Sequence, residues 1–166
     1  GDTYVGEWKN DKRDGQGTLS YINGDKYKGK WTKDKRVGNG VINFVNGNTY
    51  DGEWKNDYID GYGTFNDSNG DIYKGEWKNE KKEGQGNYTF KNGDSYEGEW
   101  KSNIKNGQGT FYYINGDKYQ GQWKNDKRDG TGVINYVNGD GYDGNWKNGH
   151  IHGYGTFTTS AGDKYK

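Results

Sequence analysis

The sequence predicts an all-β protein, an elongated, twisted single-layer antiparallel sheet of stacked β-hairpin repeats forming an open, solenoid-like ribbon. Three observations lead there. The first is a strict 23-residue period: tryptophan stands at 8, 31, 54, 77, 100, 123 and 146, tyrosine four residues before each, and glycine midway between them. Periods of 20–50 residues signal repeat architectures whose units are each too small to bury a core alone. The second is alternation of apolar and polar residues inside the unit, which is the β-strand period. The third is composition. Hydrophobic residues make up only 27% of the 166 residues, and 28 side chains are Trp, Tyr or Phe; there are 31 glycines and no proline. Ordinary globules carry about 45–50% apolar residues, so this chain must cover its aromatics economically, whereas disordered chains are poor in aromatics.

Each unit has four elements, in order. The first is a strand of the form Tyr-x-Gly-x-Trp: Tyr27, Gly29 and Trp31 share one face, Lys28 and Lys30 the other. The second is a polar six-residue tract such as Lys9–Asp14, expected to be a long connection. The third is a strand opening with a Gly-x-Gly pair; Gly38, Gly40, Ile42 and Phe44 are expected on one face, opposite Asn39, Val41 and Asn43. Glycine weakens a strand unless another group approaches closely, so both paired glycines are expected to make room for neighbouring rings. The fourth is an Asn-Gly-Asp segment, as at Asn23–Asp25, whose residues tolerate positive φ and mark a tight turn. Isolated hairpins are marginal in water, and stacking lets each cover its neighbour's rings. The expected ladder is Tyr27/Trp31, Tyr50/Trp54, Tyr73/Trp77, Tyr96/Trp100 and Tyr119/Trp123.

Units open near Gly1, Gly24, Gly47, Gly70, Gly93, Gly116, Gly139 and Gly162, and 1–166 reads as a single array with the last unit cut short at Lys166. A longer period lies over the first: 24–70 and 116–162 match at 31 of 47 positions, an offset of four units. Asp67 and Thr159 stand where other units carry an aromatic residue, and the sheet is expected to thin or bend there.

The unit Tyr-x-Gly-x-Trp-x6-Gly-x-Gly, well shown by Tyr73–Gly86 and present seven times in register, resembles the MORN (membrane occupation and recognition nexus) repeat. The resemblance spans the whole chain. It implies an open sheet of hairpins and a role in cytoskeletal or membrane-junction scaffolds, or beside a catalytic domain, with protein binding, homodimerisation and phosphoinositide binding among its associated activities. Choline- or glucan-binding wall repeats are the rival. Those run about 20 residues and place Trp beside Tyr, a pattern this chain does not follow.

Little in the sequence points to catalysis. The chain has no cysteine, and its only histidines, His150 and His152, share one tract without a third clustered ligand. The Gly-x-Gly pairs precede no helix, so they are not phosphate loops; the turn aspartates lack the calcium-loop spacing. No enzyme, cofactor or metal is expected. Lys+Arg and Asp+Glu both number 24, which argues against nucleic acid as partner. The charge is nevertheless sorted: all six-residue tracts but 55–60 are net positive, while the Gly-Asp edge is mildly acidic. Lys12/Arg13, Lys35/Arg36, Lys81/Lys82 and Lys127/Arg128 are the strongest basic points. They could meet anionic phospholipid headgroups, although no loop offers an apolar set for insertion. On the polar sheet face Tyr62, Tyr112 and Tyr154 are contact residues of the type enriched in interfaces. The expected function is a non-enzymatic scaffold, cytoplasmic and cytoskeleton- or membrane-associated, that holds a protein helix or peptide in a sheet groove. The alternative is a lipid-binding module using the basic edge. Free strand edges leave room for a homodimer.

Overall fold

A computed structural model describes all 166 residues. The fold is all-β. Its strands are β1 (Thr3–Lys9), β2 (Lys12–Ser20), β3 (Lys26–Thr32), β4 (Lys35–Asn43), β5 (Thr49–Lys55), β6 (Tyr58–Asn66), β7 (Ile72–Lys78), β8 (Lys81–Thr89), β9 (Ser95–Lys101), β10 (Ile104–Tyr112), β11 (Lys118–Lys124), β12 (Lys127–Asn135), β13 (Gly141–Lys147), β14 (His150–Thr158) and β15 (Lys164–Tyr165). They lie in chain order in one antiparallel sheet. The chain divides into two compact units, Gly1–Lys82 and Glu83–Lys166.

In the first unit the alternation of Tyr27, Gly29 and Trp31 puts all three on a buried face. The Tyr27 ring meets Trp31 edge-on at 5.1 Å and the next repeat's Trp54 at 5.2 Å, the T-shaped geometry that aromatic quadrupoles favour. Tyr50 bridges Trp54 and Trp77 in the same way. Each indole also reaches back one repeat: Nε1 of Trp31, Trp54 and Trp77 donates to the carbonyl oxygen of Gly17, Gly40 and Gly63. The second unit repeats this with Tyr96 between Trp100 and Trp123, Tyr119 between Trp123 and Trp146, and indoles donating to Gly86, Gly109 and Gly132. Tyr27, Tyr50, Tyr96 and Tyr119 are 0% exposed. In each unit the core is thus a single row of rings, with the tyrosine of one repeat set against the tryptophan of the next.

The connections reverse the expected lengths. Strands run through most of the six-residue tract, and only two residues turn: Asn10 and Asp11 have φ of 50° and 57°, Asn125 and Asp126 of 50° and 65°. Positive φ at both central residues is the type I′ turn, whose twist suits a hairpin. The Asn-Gly-Asp segments belong instead to longer loops. Between β2 and β3, Gly24 N donates to Tyr21 O and Tyr21 N donates to Asp25 O, so five residues connect the strands. The loops beginning at Asp67 and Thr159 keep these same hydrogen bonds.

The paired glycines have different tasks. Gly29 sits opposite Gly40 and Trp31 opposite Arg36, so β4 uses four residues where β3 uses two; this is a β-bulge. The bulge turns on Gly38, whose φ is 61°, as Gly15 and Gly130 do at 103° and 107°. Only the second glycine makes room for a ring: a Cβ on Gly40 would fall 2.6 Å from Cζ of Tyr27, whereas one on Gly38 would have its nearest neighbour at 3.8 Å. Opposite the bulge, Glu7 Oε1 accepts from Gln16 N at 2.7 Å, Glu99 Oε1 from Gln108 N at 2.7 Å and Gln122 Oε1 from Thr131 N at 2.8 Å, pairing amides that the bulge leaves out of the ladder. Gly40→Ala is therefore expected to cost about 3 kcal/mol, the upper end of the usual overpacking range, because the ring it meets is rigid, and Gly38→Ala about 1–2 kcal/mol through backbone strain alone. Urea denaturation of both variants checks this; a larger loss for Gly38→Ala would contradict the assignment of tasks.

Candidate protein-binding face

The basic points named in the sequence separate into two groups. Lys12, Lys35, Lys81 and Lys127 are exposed, in strands beside the I′ turns. The arginines fold back onto the ring row. Arg13 lies over Trp31 at 4.3 Å, Arg36 over Trp54 at 4.2 Å, and, in the second unit, Arg128 over Trp146 at 4.2 Å. Arg13 and Arg36 also pair with Asp34 and Asp57 at 3.3 and 3.4 Å. The Asp34 carboxyl is held below the usual range by the Arg13 backbone N–H first and then by the Arg13 side chain. Arg13, Arg36 and Arg128 therefore join successive repeats and point away from the edge. Lys82 is half-buried, with Nζ 5.2 Å from the Tyr73 ring centre.

On the polar sheet face Tyr62 belongs to the first unit and Tyr112 and Tyr154 to the second; all three are exposed, Tyr154 at 90%. Tyr112 and Tyr154 are not brought together, since they lie on β10 and β14. Lys118 covers the Tyr112 ring at 5.4 Å. The ladder residues Tyr27, Trp31, Tyr50, Trp54, Tyr73, Trp77, Tyr96, Trp100, Tyr119 and Trp123 are all buried.

A different surface emerges beside the ladder in the second unit. Tyr88, Phe90, Tyr113, Tyr136 and Phe157 are half-buried, and Phe111 is buried among them. They form a strip along the loop end of the ring face, with centroids 4.6 Å apart for Tyr88–Phe90, 5.7 Å for Phe90–Phe111 and 4.5 Å for Phe111–Tyr113. A one-layer sheet has no second layer to cover this row, so one side of each ring stays accessible. Burial of the other side pushes the Tyr113 phenol up, partly offset by Arg128. Lys105 lies under the strip, its Nζ 5.0–5.7 Å from the rings of Trp123, Phe111, Tyr96 and Phe90, and burial pulls its pKa down. In the first unit the corresponding strip is sparser, with Tyr21, Phe44 and Phe65 half-buried beside Leu19 and Ile42.

The strip's loop border is apolar and acidic together. Ile114 and Val137 stand at loop tips, each 70% exposed. Their backbone N–H groups donate to Asp94 and Asp117 of the preceding loop at 2.8 and 2.9 Å. Aspartate thus fixes each loop on its neighbour. Sequence reasoning singled out neither the strip residues nor these aliphatics. The available signal was the surplus of rings: two apolar positions per unit beyond Tyr and Trp exceed what one layer can hide.

An open array of β-hairpins with one ring-lined and one polar face is a repeat module that offers a surface. The chain belongs to the MORN repeat family, whose repeat matches residues 4–26, 27–49, 50–72, 73–95, 96–118, 119–141 and 142–164. No curated protein matches it. Among solved structures it is similar in fold to the SAS-4 (dCPAP) TCP domain of Drosophila melanogaster, in complex with a Proline Rich Motif of Ana2 (dSTIL). The identity is 13% and the TM-score 0.61, with 99% of this chain and 87% of that one covered. The wild-type TCP10 domain of Danio rerio CPAP is similar at 14% identity and TM-score 0.54, covering 90% of this chain and 71% of that one.

Proposed function

We propose that this chain is a non-enzymatic scaffold whose half-buried aromatic strip in the second unit receives an extended segment of a protein partner. The observation that carries the reading is the accessible ring row of Tyr88, Phe90, Tyr113, Tyr136 and Phe157. Aromatic-lined grooves take proline-rich segments because a polyproline II helix is already ordered and exposes its side chains. The spacing fits as well. Two strands per repeat advance about 9.6 Å, while every third residue of a polyproline II helix recurs at about 9.3 Å. One partner residue in three would meet the same position on successive repeats. The fold neighbour that holds a Proline Rich Motif lends support. A cytoskeletal setting, expected from the family resemblance, belongs to this reading.

The test is fluorescence anisotropy with a labelled (Pro-Pro-Leu)4 peptide. Binding weakened about tenfold or more by Tyr113→Ser with Tyr136→Ser, on variants that melt like the parent, supports the strip, as expected where truncating anchor rings costs more than 1 kcal/mol. Binding that survives those changes but is lost with Tyr62→Ser, Tyr112→Ser and Tyr154→Ser would move the site to the polar face. Absence of binding would overturn the reading.

A further inference from the structure

At its C-terminal end the strip opens into a shallow concavity of about 490 Å³ between the loops after β10 and β12. It is lined by the rings of Tyr136 and Phe157, by Val137, and by Asn115, Asp117 and Asp140. The two carboxylates are placed by neutral groups. Asp117 accepts from Val137 N and from Asn115 Nδ2, and Asp140 accepts from Ser160 N and Asn138 Nδ2. Neither takes part in an ion pair. In the second unit Lys105 and Arg128, on the ring face, lie over other rings, those of Trp123 and Trp146 among them. Two carboxylates therefore line the concavity together with two rings, and no lysine or arginine lines it.

We propose that this concavity is an arginine-recognition pocket. It rests on the peptide-binding reading and names the side chain selected. A guanidinium is planar and weakly hydrated, stacks on an aromatic face and offers several donors in a fixed fork. Here it stacks on Tyr136 and donates to Asp117 and Asp140, while its methylene stem covers Val137 and Phe157. The duplicated block of the first unit gives an internal comparison. Its equivalent residues are Asp25, Phe44, Val45, Asn48 and Phe65, so one carboxylate is missing there. Asn48 still accepts from Ser68 N at 2.9 Å, which shows that asparagine at this position keeps the loop bond.

The experiment compares labelled (Pro-Pro-Arg)4 with (Pro-Pro-citrulline)4, which differ in charge and not in shape, on the full chain by anisotropy. The arginine peptide is expected to bind about tenfold or more tightly, as a charge-assisted bidentate contact implies. Asp117→Asn with Asp140→Asn should bring it down to the citrulline level, with melting unchanged. Asp143→Asn, a single charge change of the same sign at an exposed polar strand position, should leave it alone. Equal binding of both peptides, lost with Tyr113→Ser and Tyr136→Ser, would overturn the arginine pocket and leave the strip as the peptide site. An equal loss with Asp143→Asn would overturn the pocket in favour of non-specific attraction. Binding of neither peptide would overturn the pocket and the strip together.

Discussion

Trp77→Ala is expected to destabilise the protein by about 3–5 kcal/mol, the usual range for deleting a buried aromatic side chain. Trp77 meets Tyr73 at 5.0 Å, Tyr50 at 5.6 Å and Phe65 at 6.2 Å, and donates Nε1–H to Gly63 O at 3.3 Å. Its removal opens a cavity in a one-row core and leaves the Gly63 carbonyl without that donor. Nothing behind the row can collapse into the gap, because the sheet has a single layer. Trp8 supplies the control. It occupies the same motif position but is 58% exposed, so Trp8→Ala should cost about 1 kcal/mol or less, as surface substitutions do. Urea denaturation followed by far-ultraviolet circular dichroism reads both. Equal losses would show that the motif, and not ring burial, sets the cost, and would refute the stacked row.

A comparable effect is expected from alkali. Burial raises the phenols of Tyr27, Tyr50 and Tyr96 far above the ordinary value of 10.0, and that of Tyr119 to about 12. At Tyr27 and Tyr119 a guanidinium, Arg36 and Arg128, works against the shift; at Tyr50 and Tyr96 the carboxylates of Glu53 and Glu99 add to it. The sign follows from proton binding. Above pH 10.0 the unfolded phenol has lost a proton that the folded one keeps, so the stabilisation is complete below pH 10.0 and falls as pH rises toward the folded values. Each tyrosine contributes a slope of about 1.4 kcal/mol per pH unit. Four together give about 5.5 kcal/mol per pH unit, against a total stability of about 5–15 kcal/mol for folded domains. The array should therefore unfold cooperatively between about pH 11 and 12. Phenolate absorbance at 295 nm should rise in step with the loss of strand dichroism. Complete phenolate formation with the dichroism intact would contradict the buried row.

Much of this was legible in the sequence because the repeat multiplies each weak local signal by seven. Tyrosine, glycine and tryptophan at fixed spacing specify a strand and its buried face. The second glycine of each pair was read correctly as ring space, as at Gly40. The turn assignment failed because Asn10-Asp11 and Lys33-Asp34 carry no glycine, so positive φ at both residues is locally unexpected. At Lys33-Asp34 it is held by the preceding repeat: Asp34 N donates to Arg13 O, and Asp34 Oδ1 accepts from Arg13 N at 2.9 Å. Those bonds span 21 residues and leave no local trace. The bulge at Gly38 escaped for a related reason, since alternation counts residues evenly and a bulge inserts extra ones.

The candidate site divides in the same way. Tyr113, Tyr136, Phe157 and Val137 were present as apolar positions, but their exposure depends on whether a second layer exists, which no local pattern states. Arg13, Arg36 and Arg128 look like a solvated edge in sequence; only the folded chain brings the Trp31, Trp54 and Trp146 rings of the following repeats within reach of them. The sequence by itself determined the period, the strands, the ring ladder and the family, because these follow from short-range spacing. The tertiary structure decided the turns, the direction of the arginines and which rings remain open, because each depends on atoms supplied by another repeat.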